Sequence, residues 1–198
     1  MTIKGLQKLV AKHPGDITII NQLSEGEITR QWISVYGLGI YPADGLPTLD
    51  EETILCMLDV PRDKWSNWDV RTATNYGLFE DMLADNDDQD EPLAEMGLRL
   101  VDDVREYKFL RAAGGVLAIP PEYLRPIGLT SSHEYWLRTI NRYHDVKPIR
   151  IVVVKLGMAM VGAVALNHDW ARVERNRDEL RQIAAQAESI ANTWVPEE

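Results

Sequence analysis

Two runs near the C-terminal end, Ile149 to Val154 and Met158 to Leu166, are apolar at almost every consecutive position. A strand that is apolar on both faces has to be covered on both, which places such a pair at the centre of a sheet and not at its edge. Lys155-Leu156-Gly157 between them supplies a turn, so the pair is expected to be a hairpin. The same stretch reaches membrane-spanning length only by including Arg150 and Lys155, and Gly157 and Gly162 interrupt it, so a membrane helix is not expected.

The rest of the chain is read around that pair. Leu6, Leu9 and Val10 share one helical face ahead of Pro14-Gly15, which predicts a short leading helix. Ile17 to Leu23 and Glu27 to Tyr36 are rich in β-branched and aromatic residues, and Ser24-Glu25-Gly26 between them has hairpin chemistry. After Pro47, Thr48 with Glu51 forms a capping box opening a helix whose apolar face is Ile54, Leu55 and Leu58. Leu93, Met96, Leu100, Val104 and Tyr107 follow helical spacing up to Gly114-Gly115, and Val116 to Ile119 reads as a short buried strand. Pro120-Pro121 cannot donate to a ladder, which makes Glu122 to Ile127 an edge or extended connection. Ser131 with Glu134 forms a second capping box, predicting a helix lined by Trp136, Leu137 and Ile140. Asn167 or Asp169 caps a long C-terminal helix in which Val173, Leu180, Ala187 and Trp194 recur every seven residues, with Ile183 and Ile190 between them.

The expected fold is therefore α+β: two β-hairpins and a short strand in a mostly antiparallel sheet, packed by helices, with a long C-terminal helix. From Phe79 to Glu91 the chain carries seven acids (Glu80, Asp81, Asp85, Asp87, Asp88, Asp90 and Glu91), which predicts a solvated linker. The 198 residues thus form either one globular unit or two lobes, 1–78 and 93–198, joined across 79–92.

Charge bears on partners. Asp and Glu total 31 against 21 Lys and Arg, a formal charge of −10 that repels phosphate backbones and anionic lipid. The single cysteine, Cys56, rules out an intramolecular disulfide, and no histidine or lysine is arranged to activate it, so a reducing, cytoplasmic setting is expected. The N-terminus lacks the apolar region and small-residue site of a secretory signal.

Residues 54–68, Ile54-Leu55-Cys56-Met57-Leu58-Asp59-Val60-Pro61-Arg62-Asp63-Lys64-Trp65-Ser66-Asn67-Trp68, have a spacing that resembles the helix-turn-helix motif of many DNA-binding proteins. The resemblance implies a first helix packed through Ile54, Leu55 and Leu58 on a second anchored by Trp65 and Trp68, with Arg62, Lys64, Ser66 and Asn67 facing bases and phosphates. Asp59 at the turn, Asp63 on the recognition face and the net charge oppose it, and a helical hairpin used for packing accounts for the same pattern.

Other patterns fall short of chemistry. Gly37-Leu38-Gly39 follows a strand as in a dinucleotide fingerprint, but Pro42 stands where the third glycine belongs. Asp85, Asp87 and Gln89 have calcium-loop spacing, with Asp90 and Met96 at the positions that need Gly and a bidentate Glu. Glu106-Tyr107-Lys108 with Asp102 and Asp103 matches an acid-x-Lys nuclease element on a pattern that reads as helical. His133 and His144, eleven residues apart on a helix, cannot chelate one metal. No catalytic residue, metal site or cofactor is assigned.

The reading that follows is a non-enzymatic protein-interaction or regulatory protein, its partner being another protein or a second copy bound through Val173, Leu180, Ile183, Ala187, Ile190 and Trp194. The alternatives are a DNA-binding regulator using residues 48–70, and a hydrolase in which His133, His144 or His168 converges with carboxylates such as Asp145 or Asp169.

Overall fold

The computed structural model describes residues 1–11, 15–74, 82–101, 106–113, 115–140, 148–166 and Ser189. The predicted C-terminal helix, with Val173, Leu180, Ile183, Ala187, Ile190 and Trp194, lies outside them, as do His13, His144, His168, Asp145 and Asp169.

The fold is mostly β. Helix α1 (Ile3–Val10) leads into β1 (Asp16–Ser24), β2 (Glu27–Val35) and β3 (Gly39–Pro42). Helix α2 (Glu51–Met57) and a 3-10 helix (Arg62–Asn67) carry the chain to β4 (Asp69–Thr74). Strands β5 (Glu91–Val101), β6 (Glu106–Ala112) and β7 (Gly115–Ile119) follow, then a second 3-10 helix (Pro121–Ile127), β8 (His133–Ile140), β9 (Ile149–Leu156) and β10 (Ala159–Ala165). They form one ten-stranded sheet in the order β4-β1-β2-β3-β10-β9-β8-β5-β6-β7. The pair singled out by its two apolar faces, β9 and β10, occupies the middle of that order. All neighbours run antiparallel except β1 and β4.

The first hairpin forms where its turn chemistry puts it. Glu25 and Gly26 both take positive φ, 54° and 88°, the backbone that matches the twist of a two-residue hairpin loop. Helix α2 buries Ile54 and Leu55, with Leu58 beside them, but its N-cap is Asp50, whose carboxylate accepts from the Thr53 amide at 2.7 Å, and not Thr48. It ends in a Schellman arrangement: Asp59 adopts φ 58°, and the amides of Asp59 and Val60 return to Cys56 and Leu55.

Three expectations are corrected. The segment from Leu93 to Tyr107, read as a helix, forms β5 and the start of β6. The irregularity between Glu95 and Arg99, with Gly97 at φ 67°, shifts the pairing and turns a strand's two-residue period into spacings of three and four. The segment after Ser131 is likewise a strand, β8, with Tyr135 and Leu137 on one face and Trp136, Arg138 and Ile140 on the other. Pro121–Ile127 is a 3-10 helix and not an extended edge.

Each face of the sheet carries its own core. On the first, Ile17, Ile19, Ile33, Val35, Leu137, Val152 and Val154 are covered by α1, α2 and the second 3-10 helix through Leu6, Leu9, Ile54, Leu55, Leu124 and Ile127. On the second, Ile20, Trp32, Ile40, Ile140, Ile151, Val153, Met160 and Ala163 pack with Met82 and Leu83. Helix α1 crosses the second 3-10 helix at Gly5, where a Cβ would stand 2.5 Å from the Arg125 carbonyl oxygen. Gly5→Ala is therefore expected to destabilise the protein by about 1–3 kcal/mol in urea melts, despite alanine's better helix propensity, because backbone has to move. A neutral or stabilising result would show that this crossing has slack.

Candidate functional site

The acidic run does not extend into solvent over its described part. Met82 and Leu83 are buried on the second face, and the residues up to Asp90 are fastened across the sheet by side chains from β2, β8 and β9 and by a backbone amide of β10. Arg138 on β8 donates through Nε and Nη2 to the two carboxylate oxygens of Asp90, at 2.8 and 2.7 Å, and through Nη1 to the carbonyls of Met82 and Ala84 at 3.1 and 2.7 Å. Lys155 on β9 approaches Asp90 Oδ2 at 2.8 Å and donates to Asn86 at 3.2 Å. The Asp90, Arg138 and Lys155 side chains are 2, 1 and 6% exposed. Asp85 accepts from the Met160 amide at 3.1 Å and pairs with Arg30 at 3.2 Å, while Arg30 also grips Asp44 and stacks 4.3 Å over Trp32. Burial pushes the Asp90 carboxyl up, but the hydrogen bonds and charges of Arg138 and Lys155 pull it below the usual carboxylate range. Asp85 and Asp87 of the calcium-loop spacing are thus engaged with protein, Asp87 accepting from the Gln89 amide at 2.9 Å.

Beside this clasp the sheet splits. Strand β5 pairs with β8 only from Glu91↔Leu137 to Leu93↔Tyr135, and from Ala94 onward it pairs with β6. The divergence opens a cleft of about 370 Å³ lined by Pro92, Leu93, Glu95, His133, Glu134, Tyr135 and Trp136. Lys108 from β6 lies under it, its Nζ 2.8 Å from Glu95 Oε2, 2.9 Å from the Tyr135 hydroxyl and 4.6 Å from the Tyr135 ring. Burial works against its charge, but the carboxylate and the hydroxyl outweigh burial and raise Lys108 above an ordinary lysine, so it stands there as a cation and not as a nucleophilic amine. Glu134 accepts from the Trp136 indole through Oε2 at 3.3 Å, and the other face of that cluster is held by Lys155, 4.9 Å from the Trp136 ring. Among the described residues the Oε1 atoms of Glu95 and Glu134 have no hydrogen-bond partner.

His133 is the one predicted histidine within the described residues, and it lines this cleft together with Glu95 and Glu134. Its Nδ1 accepts from the Thr130 amide at 2.7 Å and lies 3.0 Å from the Thr130 hydroxyl, so that nitrogen closes the turn before β8 and only Nε2 is left toward the cleft.

The DNA-contact candidates lie elsewhere. Arg62, Lys64, Ser66 and Asn67 are exposed on the 3-10 helix of six residues that follows Pro61; Arg62 pairs with Glu52 at 3.3 Å and lies 5.5 Å from the Trp65 ring. Trp65 and Trp68 are half-buried against the first core, and the Trp65 indole donates to the Val60 carbonyl at 2.9 Å. Lys108 and Glu106 of the acid-x-Lys element do lie on a strand, but Glu106 pairs with Arg99 at 3.1 Å while Lys108 turns to Glu95. Among the described residues no group of three or more histidine, cysteine, aspartate or glutamate side chains could hold a metal ion, and no helix is long and apolar enough to cross a membrane.

The cleft was not foreseen from the sequence. Its one local signal is Glu134-Tyr135-Trp136, two aromatics beside an acid, whose spacing to Leu137 and Ile140 also fits a helix. Comparison of the chain with family models, with curated proteins and with solved structures returned no match.

Proposed function

We propose that this is a non-enzymatic interaction protein whose cleft between β5 and β8 receives a positively charged segment of a protein partner. The observation that carries the reading is the pair of carboxylates at the cleft, Glu95 and Glu134, each with one oxygen already bonded inside the protein and the other without a partner among the described residues. A guanidinium or ammonium group that enters the cleft gains, at either of these oxygens, a charge-assisted hydrogen bond about twice as strong as a neutral one. The nearby lysines are buried and already placed, Lys108 on the Oε2 atom of Glu95 and Lys155 on the Asp90 carboxylate that it shares with Arg138. Pro92, Leu93 and Trp136 give the cleft an apolar wall for the methylene stem of a lysine or arginine. The net charge of −10 adds a long-range attraction for basic partners.

The test is a titration with an arginine-bearing, Gly/Ser-spaced peptide, followed by tryptophan fluorescence and by calorimetry. Binding is expected to weaken about tenfold in Glu134→Gln, the loss of one charge-assisted contact, and to weaken further as salt is raised. An acidic peptide of the same length that bound equally well, or a Glu134→Gln protein that bound as tightly as the parent, would remove the basis of the proposal.

A further inference from the structure

The residues that β8 gives to the cleft project from opposite faces of the strand. Glu134 and Trp136 share one face with Lys155, and His133 and Tyr135 occupy the other, where Lys108 reaches both Tyr135 and Glu95. The second group is built of hydrogen-bond donors. Tyr135 is 8% exposed, and its hydroxyl accepts from the Lys108 ammonium at 2.9 Å while its own proton has no acceptor among the described residues. A hydroxyl that accepts from a cation is polarised into a stronger donor, so Tyr135 lines the cleft as a donor short of an oxygen. His133 adds another. Its Nδ1 accepts the Thr130 amide proton at 2.7 Å and therefore carries none itself, which puts the ring proton on Nε2, an atom with no partner among the described residues.

The spacing of the two donors says what kind of chain they fit. They stand two residues apart on one face of a strand, about 6.8 Å along it, and carbonyls recur at that same interval along one edge of an extended chain. A helix bonds its carbonyls to its own amides and leaves only those of its last turn free. We infer that the partner segment lies extended along β8 on the His133 and Tyr135 face, with one main-chain carbonyl on the Tyr135 hydroxyl, the carbonyl two residues away on His133 Nε2, and its basic side chain in the cleft. The inference rests on the cleft reading above and adds to it how the segment is read, through its main chain in the extended form. Tyr135 is then the residue that selects conformation, and the cleft carboxylates select charge.

The experiment sets three peptides of equal charge against the full chain: the arginine-bearing Gly/Ser peptide, the same peptide with the amide bonds on either side of the arginine replaced by alkene isosteres that lack a carbonyl, and a helix-locked peptide with its arginine in mid-helix. On the parent chain the Gly/Ser peptide is expected to bind about fivefold more tightly than the alkene peptide, the worth of one neutral hydrogen bond, and about tenfold more tightly than the helix-locked one. In Tyr135→Phe the Gly/Ser peptide is expected to lose that fivefold and the alkene peptide to lose nothing, so that the two bind alike. A thermal melt checks the fold of the variant, and the comparison of peptides on the parent chain does not depend on it. If the Gly/Ser peptide binds but the alkene and helix-locked peptides bind as tightly, or if the deficit of the alkene peptide persists undiminished in folded Tyr135→Phe, the inference is overturned and the cleft reading stands. If the Gly/Ser peptide does not bind, both fall.

Discussion

Asp90→Ala is expected to lower the stability of the protein by about 3–5 kcal/mol, measured as the shift in urea unfolding, because it leaves two buried cations without their counter-charge. Arg138 and Lys155 are held at 1 and 6% exposure by strands at the middle of the sheet, and neither can reach water without dismantling its own ladder. The substitution removes three hydrogen-bonded contacts to the carboxylate at once and releases the chain between Met82 and Asp90 from its anchor. Replacing Asp90, Arg138 and Lys155 together by apolar residues of similar size is expected to recover most of the loss, since the penalty lies in the uncompensated charge and not in the absence of ions as such. A loss of less than about 1 kcal/mol for Asp90→Ala would show that water reaches the cluster. The pH dependence has a defined sign. The Asp90 carboxyl is depressed in the folded protein, so its contribution is complete above the unfolded value of about 3.9 and drains away as pH falls through the lower folded value. The parent should therefore converge with Asp90→Ala at low pH and stand apart from it at neutral pH.

Trp32→Ala is the second large effect, with an expected loss of about 3–5 kcal/mol. Among the described residues Trp32 is the largest fully buried side chain, and it sits on the second face among Ile20, Ile40, Met160 and Ala163, with its indole donating to Gln22 at 3.3 Å and Arg30 stacked on its ring. Its neighbours belong to paired strands that cannot close over the vacated space, so the cavity term adds to the lost transfer energy. Trp65→Ala, at a half-buried site, should cost less, and equal losses at the two positions would contradict the placement of Trp32 at the centre of that core.

Much of the fold is legible in local chemistry. The apolar runs of β9 and β10 forecast their central place, Glu25-Gly26 forecast the first hairpin, and Ile54, Leu55 and Leu58 forecast the buried face of α2. What failed had a physical cause. In β8 the buried Arg138 stands where an apolar residue would have revealed alternation, so Trp136, Leu137 and Ile140 mimic one side of a helix. In β5 the irregularity after Glu95 breaks the period of two. The clasp was illegible because a run of acids reads as solvated unless its cations are known, and these come from residues 48 and 65 positions further along the chain. The cleft was illegible for a related reason: it exists only because β5 leaves one neighbour for another, which is a property of pairing and not of composition.

The sheet is joined across its middle by very little backbone. Strands β3 and β10 share two residue pairs, Ile40↔Ala163 and Gly39↔Val164, supplemented by the Ala165 amide bonded to the Leu38 carbonyl at 2.7 Å, whereas β8 and β9 share eight. The residues meeting there are more than a hundred positions apart in the chain, so closing the seam carries a large loop-closure cost and yields few ladder bonds in return. Hairpins such as β1–β2 and β9–β10 are local and can form early, so closing the seam is the step expected to set the folding rate. It is also the line along which amide exchange should run ahead of the flanking ladders, with the two halves of the sheet opening as units before either one melts.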